Sequence, residues 1–238
     1  VETVYRNAGW DMTQSISSLG YFPTFLDLLE ELPKTIKKSN YSSDTQSDYT
    51  GALVTRVKSL TNGIIGQIFC SKEEIPNEQL FDQNVIVDLS RIGSSETKSL
   101  LMGLLTMKLQ EYRMSQGGMN SSLRHITVLE EAHNLLRRTS SEQSQESSNL
   151  QGKSVEMIAN AIAEMRTYGE GFIIADQSPG LMDLSVIRNT NTKIIMRLPD
   201  ETDRQLVGKA AALDEDQIEE LAKLPKGVAA VYQNEWIE

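Results

Sequence analysis

The sequence predicts an α/β fold, in which a mostly parallel sheet carries helices on both faces and follows an N-terminal helical insertion. From Val85 onward, short apolar runs typical of buried strands alternate with longer amphipathic stretches, as expected for a parallel sheet between helices. Before that point, apolar residues recur at helical spacing. The predicted strands lie near residues 85–90, 125–130, 171–175, 192–198 and 227–232.

The front of the chain is predicted to be helical. Apolar residues recur at helical spacing on each side of a polar stretch over residues 37–47. The two stripes are Phe25, Leu28, Leu29 and Leu32, then Leu53, Val57 and Leu60. We therefore expect residues 1–80 to form a helical insertion and lead-in, and residues 81–238 to form the α/β core.

The core is predicted to contain a long helix, a loop and a short acidic helix. Residues 96–113 carry leucines at helical spacing, and residues 214–224 form an acidic helix before the last strand. Residues 139–148 contain no apolar side chain, so they cannot bury enough surface to offset their ordering entropy. We expect a flexible loop at about 137–153.

An acidic pair directly follows the strand at 125–130. Glu130 and Glu131 thus stand at a strand's carboxyl end, the edge where open α/β sheets bind ligands. We interpret Glu130 as the acid that holds Mg²⁺, directly or through water, and Glu131 as the general base that polarises an attacking water. The alternative is a solvated acidic helix start, because Glu is favoured in a first helical turn.

A second polar tip follows the strand at 171–175. Gln177 stands one position beyond Asp176 and just before Ser178-Pro179. Its amide can hydrogen-bond both a γ-phosphate and a catalytic water, as a sensor residue does. The alternative is a glutamine that caps a loop. Two neighbouring strands with polar tips favour the sensor interpretation.

In combination these segments resemble the HerA/FtsK superfamily of hexameric ATPases, in particular its HerA-like and conjugative type IV secretion branches. The resemblance covers most of the chain from about residue 80 onward. The matching segments are residues 85–90, 125–133, 166–169, 177–179 and 186–190. It implies a RecA-like core, ATP and Mg²⁺ as cofactors, self-assembly into a ring, and DNA as partner.

Two departures from the family pattern stand out. Glu130 occupies a position where the family usually has Asp, so direct metal coordination is left open. No Gly-x4-Gly-Lys-Ser/Thr phosphate loop occurs in the 238 residues, and Gly152-Lys153-Ser154 lacks the earlier glycine because Ser147 stands there. In the family this loop precedes the present region. The chain is therefore expected to be a C-terminal fragment without a Walker A loop, and to be inactive alone.

The resemblance also assigns Arg166 a role at the nucleotide of a neighbouring subunit, as both a catalytic and a nucleotide-binding residue. A guanidinium donated across an interface neutralises charge that develops on the γ-phosphate. Arg188, Lys193 and Arg197 are alternates near the fourth strand. Arg166 could instead be a helix-end arginine that only offsets the helix dipole.

Composition limits the binding partners and the cellular location that we expect for this chain. The formal net charge of −10 does not indicate a nucleic-acid binder, although a ring multiplies a few contacts per subunit. One cysteine, Cys70, excludes an internal disulfide, and no apolar run is long enough to span a bilayer, so we expect a cytoplasmic protein.

The predicted function is part of an ATP-driven hexameric motor that translocates DNA. Two alternatives remain open. The parent could power conjugation or type IV secretion. The chain could also be a non-catalytic assembly or docking module. The missing phosphate loop and Glu130 favour that alternative, whereas the intact set of Glu131, Gln177 and Arg166 argues against it.

Overall fold

A computed structural model describes residues 1–11, 13, 21–138 and 147–234, and these form two units, Val1–Pro76 and Asn77–Glu238. The described part of the first unit is helical, as its apolar stripes predict. Its helices are α1 (Glu2–Asn7), α2 (Phe25–Lys37), α3 (Ser43–Ser59) and α4 (Gly63–Phe69). A capping box starts α2, because the Thr24 hydroxyl accepts from the Leu26 amide and Asp27 accepts from the Thr24 amide.

The second unit alternates helices and strands. Its helices are α5 (Asn77–Phe81), α6 (Ser95–Ser115), α7 (Ser147–Met165), α8 (Leu184–Asn189), α9 (Glu201–Ala210) and α10 (Glu215–Glu220). Its strands are β1 (His125–Glu130), β2 (Glu170–Ala175), β3 (Thr192–Ile195) and β4 (Ala230–Gln233). Among the described helices, none combines the length and the apolar character that a bilayer crossing requires.

The strands form two separate pairs in the part of the chain that the structure describes. β1 and β2 are parallel, with His125 opposite Glu170 and Glu130 opposite Ala175. β3 and β4 are antiparallel and pack with α9 and α10 around their own cluster of Ile195, Ala211 and Leu221. The described strands therefore form only part of the predicted mostly parallel sheet, because β1 and β2 are parallel whereas β4 pairs antiparallel with β3.

The strand predicted at 85–90 is also absent from the described sheets. Val85, Ile86 and Val87 are 45%, 94% and 49% exposed, and Asp88 closes a turn by accepting the Ser90 amide at 2.8 Å. An apolar run becomes a strand only when a neighbour completes its backbone hydrogen bonds, and none does here. Asp88 therefore has the loop-capping role typical of an Asp at such a position.

Helices cover one face of the β1–β2 pair. On that face, Leu129 and Ile174 pack against a buried cluster that includes Leu136, Ala159 and Ile187. On the other face, apolar side chains stay exposed: Ile126 by 46%, Val128 by 56% and Ile173 by 52%. In the described residues, helices thus cover only one of the two faces for which they were predicted. Such a face is normally buried against another layer in α/β proteins.

A buried ionic network joins the amino ends of β1 and β2 to α6. Glu170, whose side chain is fully buried, accepts hydrogen bonds from Arg113 Nε at 2.8 Å and Thr127 Oγ1 at 2.6 Å, and lies 2.7 Å from His125 Nδ1. Arg113 also donates to Asp82 at 2.6 Å. Burial alone lowers the pKa of Arg113, but the two carboxylates outweigh it and raise that pKa. The network anchors the strand starts.

The polar segment predicted as a loop at 137–153 is partly helical. Residues 139–146 lie outside the described residues, but α7 already begins at Ser147. The prediction is therefore wrong for residues 147–153. The later part of α7 packs through Ala159 and Met165, and each residue added to a packed helix gains a backbone hydrogen bond, so a polar sequence can extend it.

Candidate active site

Two strand ends bring the candidate residues to one edge. β1 and β2 are parallel and in register, so Glu130 lies opposite Ala175, the residue before Asp176. Glu131 and Gln177 then follow directly at the same carboxyl edge. All three candidate side chains are exposed and hence accessible to a ligand. This is the edge at which parallel α/β sheets bind ligands.

Glu131 leaves the strand in an unusual backbone conformation. Its φ and ψ are 48° and 49°, in the left-handed region that non-glycine residues seldom occupy. A 3₁₀ turn, Ala132–Asn134, follows, and the Glu131 carboxylate makes no capping bond to it. This geometry differs from a solvated acidic start of an α-helix.

A buried aspartate connects the two strand ends, and sequence reasoning assigned it no role. The Asp176 side chain is 1% exposed and accepts from His133 N and Nδ1, each at 2.8 Å, and from Ser178 N at 2.8 Å. His133, two residues after Glu131 in the sequence, is therefore bound to Asp176. The sequence feature that could have indicated this role is the position of Asp176, an acidic residue directly after a buried strand.

Gln177 projects from this bonded loop. Its neighbours are hydrogen-bonded to each other, since the Ser178 amide donates to the Asp176 carboxylate. The Gln177 side-chain amide makes no hydrogen bond within the described part of the chain. The alternative of a loop-capping glutamine thus gains no support from the described contacts. Its donor and acceptor atoms are placed to serve a bound group at this edge.

The site supplies too few ligands to bind a metal by itself. In the described residues, no group of three or more His, Cys, Asp or Glu side chains could hold an ion. Mg²⁺ in nucleotide sites typically uses one or two carboxylates, together with phosphate oxygens and water. One exposed carboxylate at the strand end, Glu130, fits that donor set. A metal here would therefore arrive with the nucleotide.

Arg166 lies at the other end of the strand pair. It starts the 3₁₀ turn Arg166–Tyr168 just before β2, so the length of a six-residue strand, roughly 17 Å, separates its backbone from the carboxyl edge. The structure therefore does not bring Arg166 together with Glu131 and Gln177 in one chain. Its side chain is exposed, as a group serving a neighbour would be.

The alternate basic residues differ in their surroundings. Lys193 donates to Thr190 O at 2.8 Å and lies 5.4 Å from the centre of the Tyr232 ring, and burial lowers its pKa. Lys193 is therefore engaged within its own chain. Arg188 and Arg197 are exposed.

The Gly152-Lys153-Ser154 segment lies inside α7. Its backbone amides are consequently committed to helical hydrogen bonds and cannot surround a phosphate as a phosphate loop does. The described residues thus supply no substitute for the phosphate loop that the sequence lacks.

Two curated helicases are similar to this chain in sequence. No family model matches the sequence. Over 214 residues, 88% of the chain, it is 23% identical to the DNA double-strand break repair helicase HerA of Saccharolobus solfataricus, and over 152 residues, 63% of the chain, it is 28% identical to the HerA of Sulfolobus acidocaldarius. These matches span 41% and 29% of the relatives, so the chain covers less than half the length of either.

A solved structure shares the fold. VirB4 of Thermoanaerobacter pseudethanolicus superposes with a TM-score of 0.70 and 13% identity, over 98% of this chain and 59% of that one. At this identity the likeness concerns the fold alone. The chain thus shares the fold of VirB4, and its described strands form two two-stranded sheets.

Proposed function

We propose that this chain, which is related to the P-loop ATPases of the HerA/FtsK type, is the C-terminal part of an ATP-driven hexameric motor that translocates DNA. One observation carries the proposal. Glu130, Glu131 and Gln177 stand at or directly after the carboxyl ends of a parallel strand pair, and all three are exposed. That edge, with a carboxylate pair beside an amide, suits in-line attack of water on a γ-phosphate.

Each residue has one role in this proposal. MgATP supplies the transferable phosphoryl group and the cation that neutralises its charge. Glu130 holds the cation side of the site, directly or through water. Glu131 orients the attacking water and takes its proton, and Gln177 hydrogen-bonds the γ-phosphate and that water.

The rest of the nucleotide site would come from another part of the parent protein. The 238 residues contain no phosphate loop, and they span less than half of each curated relative. The exposed apolar face formed by Ile126, Val128 and Ile173 would be covered by that remainder, since α/β domains bury both faces of such strands. The isolated chain should accordingly bind ATP poorly and hydrolyse none.

Hydrolysis by the full-length parent tests the motor directly. ATPase activity should rise with double-stranded DNA and fall by at least about 100-fold in Glu131→Gln, because a positioned general base contributes on that scale. Glu111→Gln, an exposed change on α6, is the matched control and should leave the rate unaltered. Activity without DNA stimulation would favour the conjugation or secretion alternative. No hydrolysis under any condition would favour the docking module.

A test on the isolated chain complements it. Magnesium-dependent ATP hydrolysis by these 238 residues that disappears in Glu131→Gln would contradict the proposed dependence on an external phosphate loop.

Mixed rings test the role of Arg166. Neither Arg166→Ala nor Glu131→Gln rings should hydrolyse ATP alone. If Arg166 acts on a neighbour's nucleotide, random mixing of the two variants in equal amounts should restore activity at about a quarter of the interfaces. At those interfaces one subunit supplies an intact Glu131 and its neighbour supplies an intact Arg166. If both residues serve the same subunit, mixed rings stay inactive. The same mixing experiment with Arg188→Ala in place of Arg166→Ala tests whether Arg188 serves the neighbouring subunit instead.

A further inference from the structure

The backbone of Glu131 has to be held in place. Together with Asn120 and Ala212, it is a non-glycine residue with positive φ in the described chain. In this region the Cβ atom comes too close to the following carbonyl oxygen, so such residues persist where their surroundings constrain them. The conformation decides where the Glu131 carboxylate points, and hence whether it can reach a water at the strand edge.

Asn134 constrains this backbone from one side. Its amide nitrogen donates to Glu131 O at 2.9 Å, and its side-chain Nδ2 donates to the same oxygen at 3.1 Å. The Ser99 hydroxyl of α6 donates to the Asn134 carbonyl oxygen. The turn after Glu131 is therefore attached to the helix beneath it.

Asp176 constrains the turn from the other side. Its Oδ2 accepts both the backbone amide and Nδ1 of His133, while its Oδ1 accepts the Ser178 amide. A buried carboxylate needs such donors, so the bonds are not readily exchanged for water. Since Gln177 lies between Asp176 and Ser178, one carboxylate positions both the turn behind Glu131 and the loop that carries Gln177.

We propose that His133 and Asp176 are positioning residues that hold the Glu131 carboxylate and the Gln177 amide in one fixed relation, so that both act on the same phosphate and water. The inference rests on the proposed roles of Glu131 and Gln177. Without the link, each side chain keeps its chemistry but loses its alignment with the other. A misplacement of about 1 Å can cost a hundredfold in rate.

A pair of near-isosteric variants isolates the link. In His133→Asn the side-chain amide nitrogen takes the place of Nδ1 and keeps the bond to Asp176. In His133→Gln it takes the place of Nε2 and loses that bond. We expect the full-length parent to keep kcat within about threefold in the Asn variant and to lose about tenfold or more in the Gln variant. The KM for ATP should change little, because the phosphate loop supplies most of the affinity.

A second measurement on the 238-residue chain needs no hydrolysis. The backbone amide resonances of Gln177 and Ser178 should shift in His133→Gln and stay near their wild-type positions in His133→Asn. If His133 were merely structural, His133→Gln would lower the stability of the chain through loss of the bond to Asp176, and both variants would keep the wild-type kcat. Asn134→Ala, which removes one donor to Glu131 O, provides an independent variant and should also lower kcat.

The outcomes separate the two proposals. If the full-length wild type hydrolyses no ATP, the proposed function fails and the positioning role falls with it. If the wild type is active, Glu131→Gln is inactive and His133→Gln retains wild-type kcat, the positioning role alone is overturned, whatever the result for Asn134→Ala. A selective loss of kcat with the matching resonance shifts supports it.

Discussion

Replacing Arg113 by methionine should destabilise the second unit by about 3–5 kcal/mol, the range for breaking one side of a buried ion pair. The Arg113 side chain is 5% exposed and that of Glu170 is fully buried. The change removes the Arg113 donors to Glu170 and to the Phe81 carbonyl oxygen, at 2.8 and 2.6 Å. Each buried group left short of a partner costs about 1–3 kcal/mol.

Two features keep the expected cost within that range. Asp82, the third acceptor of Arg113, is 46% exposed, so water can replace the lost bond. His125 and Thr127 still contact Glu170 after the change. Methionine keeps much of the length of the arginine side chain, so loss of packing adds little.

Urea unfolding followed by far-ultraviolet circular dichroism measures the effect. Arg188→Met, at an exposed position of the same unit, is the matched control and should change the free energy of unfolding by less than about 0.5 kcal/mol. The double variant Arg113→Met/Glu170→Gln should lose less free energy of unfolding than the two single variants lose in total, because the residues are in direct contact. A loss below about 1 kcal/mol in Arg113→Met would refute the assignment of this network as a buried, mutually dependent unit.

Three further predictions concern the same unit. Hydrogen bonds from Tyr112 and then Arg113 lower the pKa of Asp82 below its ordinary 3.8, so its stabilising contribution should be present above that pH and lost below it. In urea unfolding experiments at several acidic pH values, the free energy of unfolding of Asp82→Asn should depend less on pH than that of the wild type. An equal dependence in both proteins would contradict this. The bond to Asp82 raises the pKa of Tyr112 from 10.0 to about 12, so stability should fall as the pH rises from 10.0 through about 12. Tyr112→Phe should remove that alkaline loss, and ultraviolet titration should show one fewer late-ionising tyrosine. Gly169→Ala should cost more than about 1 kcal/mol, because its φ is +82° and a Cβ would lie 2.4 Å from Ser122 O. Gly93→Ala, with nothing within 4 Å and no positive φ, is its control, and equal melting temperatures for the two variants would contradict the steric reasoning.

Several elements could be predicted because their signal is local. The helix α6 follows from leucines at helical spacing, and β1 and β2 follow from short apolar runs that end in polar residues. The parallel pairing of β1 and β2 then brings Glu130, Glu131 and Gln177 to one edge, as the strand-end pattern suggested. The roles of these side chains in hydrolysis remain predictions.

Other elements could not be predicted, because they depend on partners elsewhere in the chain. The apolar run at 85–90 has the composition of a strand, yet no described strand pairs with it. β3 and β4 form an antiparallel pair, and the spacing of apolar residues does not indicate whether two strands pair parallel or antiparallel. The polar start of α7 is helical because of packing further along the same helix.

The sequence by itself determined which segments are apolar, where they end in carboxylates and an amide, and that no phosphate loop lies within these 238 residues. Only the tertiary structure decided that Asp176 binds His133 across 43 positions, that Arg113 reaches Glu170 across 57, and that Glu131 adopts a left-handed backbone. The physical reason is that hydrophobic periodicity reports which surfaces become buried. A hydrogen-bond partner or a strained backbone is instead set by groups that folding brings together from distant parts of the chain.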